Sequence, residues 1–349
     1  MKKTAYLGCS FLLLAALAVP TFAGPRAAPA QNDAGAYTAY YNIPQTDPKT
    51  KAEAGEKFIK DFPASQYAEP VFRQTVSNHG KLSNWAKVLE LTGKVDQMFP
   101  GMSAANKATM YAQGMQAAQQ SNNAAQTIAF GEKVLSLAPD DLNTLITLSS
   151  TIPAATPSDK AGLEKAKGFA TKALTLVAKL DPKSVGLSEA DWAKQKSGIE
   201  GTLHTTLCSI AFNNQDYPKA EEDCLAATKA TPKDGGAWYL LGLVYNQQAV
   251  DITKNYQSAV KATNDAIGAK ADQIQIDELK AQSSALEQNL RAKRDQAIDT
   301  LATSVAAGGT TQAPAKTQLD RLWNTKNSGD MSGLDAKIAE RKQWLAAQP

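Results

Sequence analysis

The chain has 349 residues, with 37 Lys and Arg against 34 Asp and Glu, a net charge of +3, two histidines and three cysteines. No run of like charge stands out, which argues against nucleic acid or an anionic membrane surface as a partner. The apolar fraction is 43% but aromatics are only 7%, so the hydrophobic content leans on alanine and suits thin helix–helix layers more than one thick core.

Lys2 and Lys3 precede an apolar run over 5–19 and then Pro20-Thr21-Phe22-Ala23. This order of charged, apolar and small-x-small segments predicts a signal peptide over 1–23, cleaved after Ala23. The run is short for a membrane span, which takes about 20 apolar residues. Leu7-Gly8-Cys9 resembles a lipoprotein box locally, but its cysteine lies before most of the apolar run, which argues against lipidation. The mature chain of 326 residues would carry a net charge of +1, since only Lys2 and Lys3 are lost. No membrane span is expected in it. Residues 24–32 are rich in Ala and Pro and read as a flexible leader.

Residues 33–42, with Tyr37, Tyr40 and Tyr41, predict a first helix, and 51–61 its partner, ended at Phe62-Pro63. A further helix runs to about Asn78, with His79-Gly80 as a break. Residues 82–98 form the next, again ended by Phe-Pro at 99–100. Residues 102–121 and 124–137 predict a third hairpin. The fourth pairs 142–151 with 163–180 across a loop over 153–157. Residues 184–192 read as a long connection. Pro63, Pro100, Pro139, Pro182 and Pro232 are 37, 39, 43 and 50 residues apart, the loose spacing of degenerate hairpins with insertions over 33–200.

The clearest pattern lies in 201–268. Trp238, Leu241, Gly242 and Tyr245 fall at i, i+3, i+4 and i+7, one face of a helix. Upstream, Asp216-Tyr217-Pro218 starts a helix, with Asp in the capping region and Pro in the first turn. Ala220, Cys224 and Ala227 follow on that helix, and Pro232 ends it. W-x2-L-G-x2-Y after this second-helix pattern resembles the tetratricopeptide repeat. The match is uneven, since His204 holds the Trp position and Cys208 the Gly position of the first unit. In the second unit a turn is expected at Asn255-Tyr256 after about five extra residues, with Ala259 and Ala266 on the helix beyond. Residues 269–309 read as long helices and a last repeat, with Ile276, Leu279, Leu286 and Leu290 in a stripe, and Ala297, Leu301 and Ser304 before Gly308-Gly309. Residues 314–349 read as a C-terminal helical cap carrying Trp323 and Trp344, with a peptide-binding tail as the alternative.

The resemblance implies an all-α superhelix, a solenoid of about six or seven helical hairpins with that cap. It also implies that Cys208 and Cys224 face each other inside one hairpin. Given export to an oxidising compartment, a Cys208–Cys224 disulfide is expected, against the alternative of two buried free thiols. Ligands of the family lie in a groove lined by first helices. By repeat position, that groove would present Thr202, Thr205, Ser209 and Asn213 from one helix and Tyr239, Leu243 and Asn246 from the next. Its lining is neutral and rich in hydroxyls and amides. It suits an extended peptide or protein segment more than a carboxylate tail, because the gripping Lys and Arg are missing from these positions.

No catalytic constellation emerges, and no cofactor or metal is expected. His79, at a supposed helix break, reads as a solvated loop histidine, and neither it nor His204 has Cys, Asp or Glu at ligand spacing. Ser258 and Lys261 form an S-x-x-K of the kind a Ser- and Lys-rich helix produces by accident. The sequence therefore points to a non-catalytic exported scaffold that binds proteins or peptides in the cell envelope, periplasmic or secreted. The alternative is a structural spacer or assembly factor acting by self-association. An enzyme acting on peptidoglycan is a more distant alternative, since no acid-bearing globular module stands out.

Overall fold

The computed structural model describes residues 33–348, so the expected signal peptide, the expected leader and the Cys9 motif lie outside the described residues. The described residues hold fifteen α-helices and no strand. They divide into two compact units, one of residues 33–122 with Leu180–Trp192, the other of Asn123–Lys179 with 193–348.

In the first unit, α1 (Asp33–Tyr41) packs on α2 (Pro48–Asp61), α2 on α3 (Ala68–Lys81), and α3 on α4 (Trp85–Gly93) and α6 (Ala104–Gln120). A short α5 (Val95–Met98) continues α4 after a break at Lys94. Local chemistry sets these ends. Asp47 caps α2 by accepting from the Thr50 amide, with Pro48 in the first turn. Ser103 caps α6 in the same way. The Phe-Pro endings stop α2 and α5, with Phe99 buried and Phe62 half-buried. The Phe62 amide closes on the Phe58 carbonyl, and the Phe99 ring packs 4.9 Å from Phe72.

Two expectations fail here. His79-Gly80 does not break α3, which runs on to Lys81; the reversal comes at Ser83, whose φ is 55°. His79 is accordingly not a solvated loop residue. It is 5% exposed, and its Nε2 lies 2.8 Å from Glu56 Oε1. A partner on α2 satisfies the ring, and linear spacing could not reveal a pairing 23 residues away.

The second unit begins with α7 (Ala124–Leu137), α8 (Leu142–Ala155) and α9 (Lys160–Lys179). Pro153, expected in a loop, lies inside α8 with its ring buried. Its position in the last turn limits the loss to one ladder bond. Then come α10 (Glu189–Asn213), which begins inside the connection expected over 184–192, and α11 (Tyr217–Ala230). Leu145 of α8, Ala170 and Ala173 of α9, and Leu203 and Leu207 of α10 share one core cluster. A second joins Cys208, Ala220, Cys224, Leu241, Tyr245 and Ala297 across α10, α11, α12 (Gly235–Gly268) and α13 (Gln273–Ala307).

The largest departure from expectation is α12. No turn occurs at Asn255-Tyr256: the helix runs 34 residues without interruption and pairs with the 35-residue α13. No Gly or Pro stands between Gly242 and Gly268 to stop it. Ala297, Leu301 and Ser304 therefore do not belong to one more repeat. They form the second helix of the Trp238 repeat itself. Leu301 sits over Gly242, and the Ser304 hydroxyl donates to the Gly235 carbonyl at 2.8 Å.

Between these halves the chain inserts an antiparallel coiled-coil arm. Its seam on α12 is Tyr245, Ala249, Ile252, Tyr256, Ala259, Thr263 and Ala266, all buried or half-buried. On α13 it is Ile276, Leu279, Ser283, Leu286, Leu290, Lys293 and Ala297. Both series alternate steps of three and four, the heptad spacing of a left-handed coiled coil. Thr263 and Ser283 meet in the seam with hydroxyls 3.3 Å apart.

Finally, α14 (Gln312–Lys326) and α15 (Leu334–Ala346) pack on α13 through Leu319 and Leu334. Asp299 of α13 ties down α15 by ion pairs to Lys337 at 2.7 Å and Arg341 at 2.5 Å.

Candidate functional site

Thr202, Thr205, Ser209 and Asn213 share one side of α10, three or four residues apart. Thr202 and Asn213 are exposed, and Thr205 and Ser209 half-buried. The Thr202 hydroxyl already donates to the Gly198 carbonyl at 3.0 Å. The Thr205 hydroxyl is buried and has no partner among the described residues. On α12, Leu243 and Asn246 are half-buried. Tyr239 is not on an open face. It packs into the cluster of Ile298, Leu301, Leu319 and Leu334, because the closing helices occupy that side of the repeat. Trp238 packs instead against the cluster of Cys208, Leu241 and Tyr245, its ring 5.6 Å from Trp344 and its Nε1 donating to the Pro232 carbonyl at 2.8 Å.

Beneath the α10 face, Cys208 and Cys224 are joined in a disulfide, with Cα atoms 5.2 Å apart and both residues fully buried. His204 is half-buried, its Nδ1 3.4 Å from Asp223 Oδ1.

A polar knot ties the arm to the repeat below it. Glu221 of α11 accepts from Gln248 of α12 at 2.8 Å and from Lys293 of α13 at 3.0 Å. The Lys293 ammonium lies 4.7 Å from the Tyr245 ring centre. Burial, with the Glu221 charge beside it, pushes the Tyr245 phenol up to about 12. Burial alone would raise the Glu221 carboxyl, but the bonds from Gln248 and Lys293 outweigh it and the net shift is downward. The Glu221 carboxylate, the Lys293 ammonium and the Gln248 NH2 group are engaged, while Gln248 Oε1 is buried without a partner among the described residues; the geometry is that of a tether. The Ser258–Lys261 pair is no constellation either. Ser258 donates to the Lys254 carbonyl, and Lys261 is paired with Asp265 at 2.7 Å.

Sequence reasoning missed a cleft in the first unit. A shallow, open depression of about 330 Å³ lies between α3 and α6, with Arg73, Gln74 and Ser77 on one side and Thr109 and Gln113 on the other. Met110 lies in its lining, buried to 1% exposure. The only signal was a pair of polar residues four apart on each helix, Arg73 and Ser77 on α3 and Thr109 and Gln113 on α6, and nothing in one sequence says that these two faces meet.

Among the described residues, no three His, Cys, Asp or Glu side chains stand together so as to hold a metal ion, and no helix is long and apolar enough to cross a membrane. The architecture defines the class: an all-α protein of tetratricopeptide-like helical hairpins. No family model matches the chain, and no curated protein matches it in sequence. Among solved structures it is similar to a tetratricopeptide repeat protein from Parabacteroides merdae, at 9% identity and a TM-score of 0.42, over 84% of this chain and 100% of that one. It is also similar to human IFIT1, a dimer with m7Gppp-AAAA, at 13% identity and a TM-score of 0.34, over 90% of this chain and 67% of that one. These likenesses carry no argument about activity or partner.

Proposed function

We propose that this protein is an exported, non-catalytic scaffold that holds other proteins or peptides of the cell envelope. The observation that carries this reading is the stack of helical hairpins, which presents side-chain faces rich in hydroxyls and amides instead of a reactive pocket. Ser209 and Asn213 on α10, with Leu243 and Asn246 on α12, offer hydrogen bonds and modest apolar contact, the chemistry that holds an extended segment. Export to the periplasm or beyond is supported by the Lys2-Lys3, apolar and Ala23 sequence pattern. The division into signal peptide, leader, early hairpins over 33–200 and closing cap over 314–349 belongs to the same reading.

The test is affinity capture from the native cell envelope, with and without crosslinker. A reproducible partner lost on changing Ser209, Leu243 and Asn246 to Ala supports these faces as the recognition surface. Recovery of the protein alone would count against the scaffold reading. That result would favour the structural spacer, which the exposed Ile267 and Ile274 near the end of the arm support, at 48% and 74% exposure. N-terminal sequencing of the natively produced protein tests export: a chain starting at Gly24 is expected.

A further inference from the structure

We propose that the flank of the arm turned away from α11 binds a second copy of this chain, laid antiparallel about a two-fold axis at Ser284. Gln248 meets Glu221 of α11 on the other flank. The flank in question runs in steps of seven from Tyr239 to Ile267 on α12, and from Leu301 back to Lys280 on α13. Tyr239 and Leu301 share one cluster at the root, so the heptad carries both series up the same side of the arm. The closing helix α14 covers the root of that side and reaches Asp295 through Lys326 at 2.7 Å. Further out, Val250 and Ile267 are 40% and 48% exposed.

The charges along α13 complement their own reverse. Asp277 and Arg291 lie seven residues before and after Ser284, and Lys280 and Glu287 four before and three after. Turned end for end on Ser284, each acid of one copy meets a base of the other, and every pair forms twice. The apolar residues of α12 obey the same axis. Tyr245 and Ala297 share a cluster at the root, and thirteen residues further out on each helix stand Ser258 and Ser284, at one level. Val250 and Ile267 lie eight before and nine after Ser258, so each covers the other in the second copy. One axis thus serves both helices, and the product is an antiparallel four-helix bundle. Existing contacts leave these groups available. Lys280 is exposed and makes no ion pair among the described residues. Asp277 accepts from Gln273 through one oxygen only, at 2.8 Å. Glu287 and Arg291 pair within one turn of α13, in solvent, a weak contact that bases and acids of a second copy extend into a network.

The test is sedimentation equilibrium of the whole chain from Gly24 at low and high salt. The expected result is a dimer that loosens as salt rises. Lys280→Glu and Glu287→Lys should each weaken it by at least about tenfold, since each sets like charges together twice. The two variants mixed should associate as a heterodimer, because the acidic copy then meets the basic one at both positions. Both changes in one chain should restore the homodimer. Ile267→Asp should dissociate it. An unchanged helical signal in each variant separates loss of pairing from loss of fold. The proposal is overturned if the chain stays monomeric up to its solubility limit, if its dimer ignores both charge reversals, or if the mixed variants fail to associate. Positions 280 and 287 lie outside the α10 and α12 faces, so a monomer that still captures envelope partners would overturn this interface and leave the scaffold reading standing.

Discussion

Gly242 lies directly beneath Leu301: a Cβ built on the glycine would stand 2.7 Å from Leu301 Cγ and 2.8 Å from its Cδ2. The two helices of the Trp238 repeat touch at this point. The same device recurs at Gly131, whose Cβ would meet Leu148 Cδ2 at 2.7 Å. A glycine inside a helix costs about 1 kcal/mol against alanine, and here it is required because the opposing branch carbon cannot move aside as a flexible tip would. Gly242→Ala should therefore destabilise by roughly 1 kcal/mol net, the overpacking of about 1–3 kcal/mol exceeding the helix gain. Paired with Leu301→Ala, its cost should vanish, and a double-mutant cycle in urea reads that non-additivity.

Cys208 and Cys224 are 16 residues apart in sequence. Closing a loop of that size stabilises by about 3 kcal/mol in the chain-entropy model. The double change to Ala should lower the unfolding free energy by a comparable amount. Thiol titration of the denatured, unreduced chain from Gly24 should find no free thiol, and two would contradict the bond.

Lys51 is 2% exposed and donates to the carbonyls of Tyr41 at 3.3 Å and Ile43 at 2.7 Å, just beyond the last turn of α1. Burial, with Lys81 nearby, lowers its pKa, yet its role is to satisfy those two oxygens. Lys51→Met should leave them without a donor, at about 1–3 kcal/mol. Amide exchange over 33–43 should then quicken far more than exchange in α3.

The Glu221 knot gives stability a pH dependence of definite sign. The folded carboxyl titrates below its ordinary value of 4.5, so the unfolded chain takes up the proton first as pH falls. The contribution is full above the ordinary value and is lost as pH drops through the depressed folded one. Glu221→Gln should weaken the fold at neutral pH and flatten the slope of stability below about pH 4.5. Equal slopes for parent and variant across that window would show that the tether carries no linkage.

The arm should shorten without harm to the repeat. Removing 257–263 together with 283–289 takes one heptad from each strand and keeps the seam in register. Helical signal should fall by those residues alone, and the melting transition should stay cooperative. A collapse of that transition would mean that the arm is part of the core.

Much of the fold was legible because its signals are local. Asp216 announces a helix start within three residues, and Phe62-Pro63 and Phe99-Pro100 announce stops. The errors have a common physical origin in pairings distant in sequence. His79 is buried because of Glu56, Tyr239 is covered because of Leu319 and Leu334, and the expected turn at Asn255-Tyr256 yields to the partner that α13 provides. The repeat signature itself misled at that point. Its two halves are present, but Ala297 and Leu301 answer Trp238 and Gly242 from across the arm. The α3–α6 cleft was illegible for the same reason, since Arg73 and Gln113 become neighbours only in three dimensions.

The seam of the arm has a further consequence for how such a chain can change over time. Knobs at steps of three and four tolerate gain or loss only in matched sevens, one on each strand, so reach is quantised at about 10 Å per exchange. Because Gly242, Leu301 and the Glu221 knot lie at the root, lengthening leaves them untouched. Reach is thus a dimension that selection can adjust independently of the stack from which the arm springs.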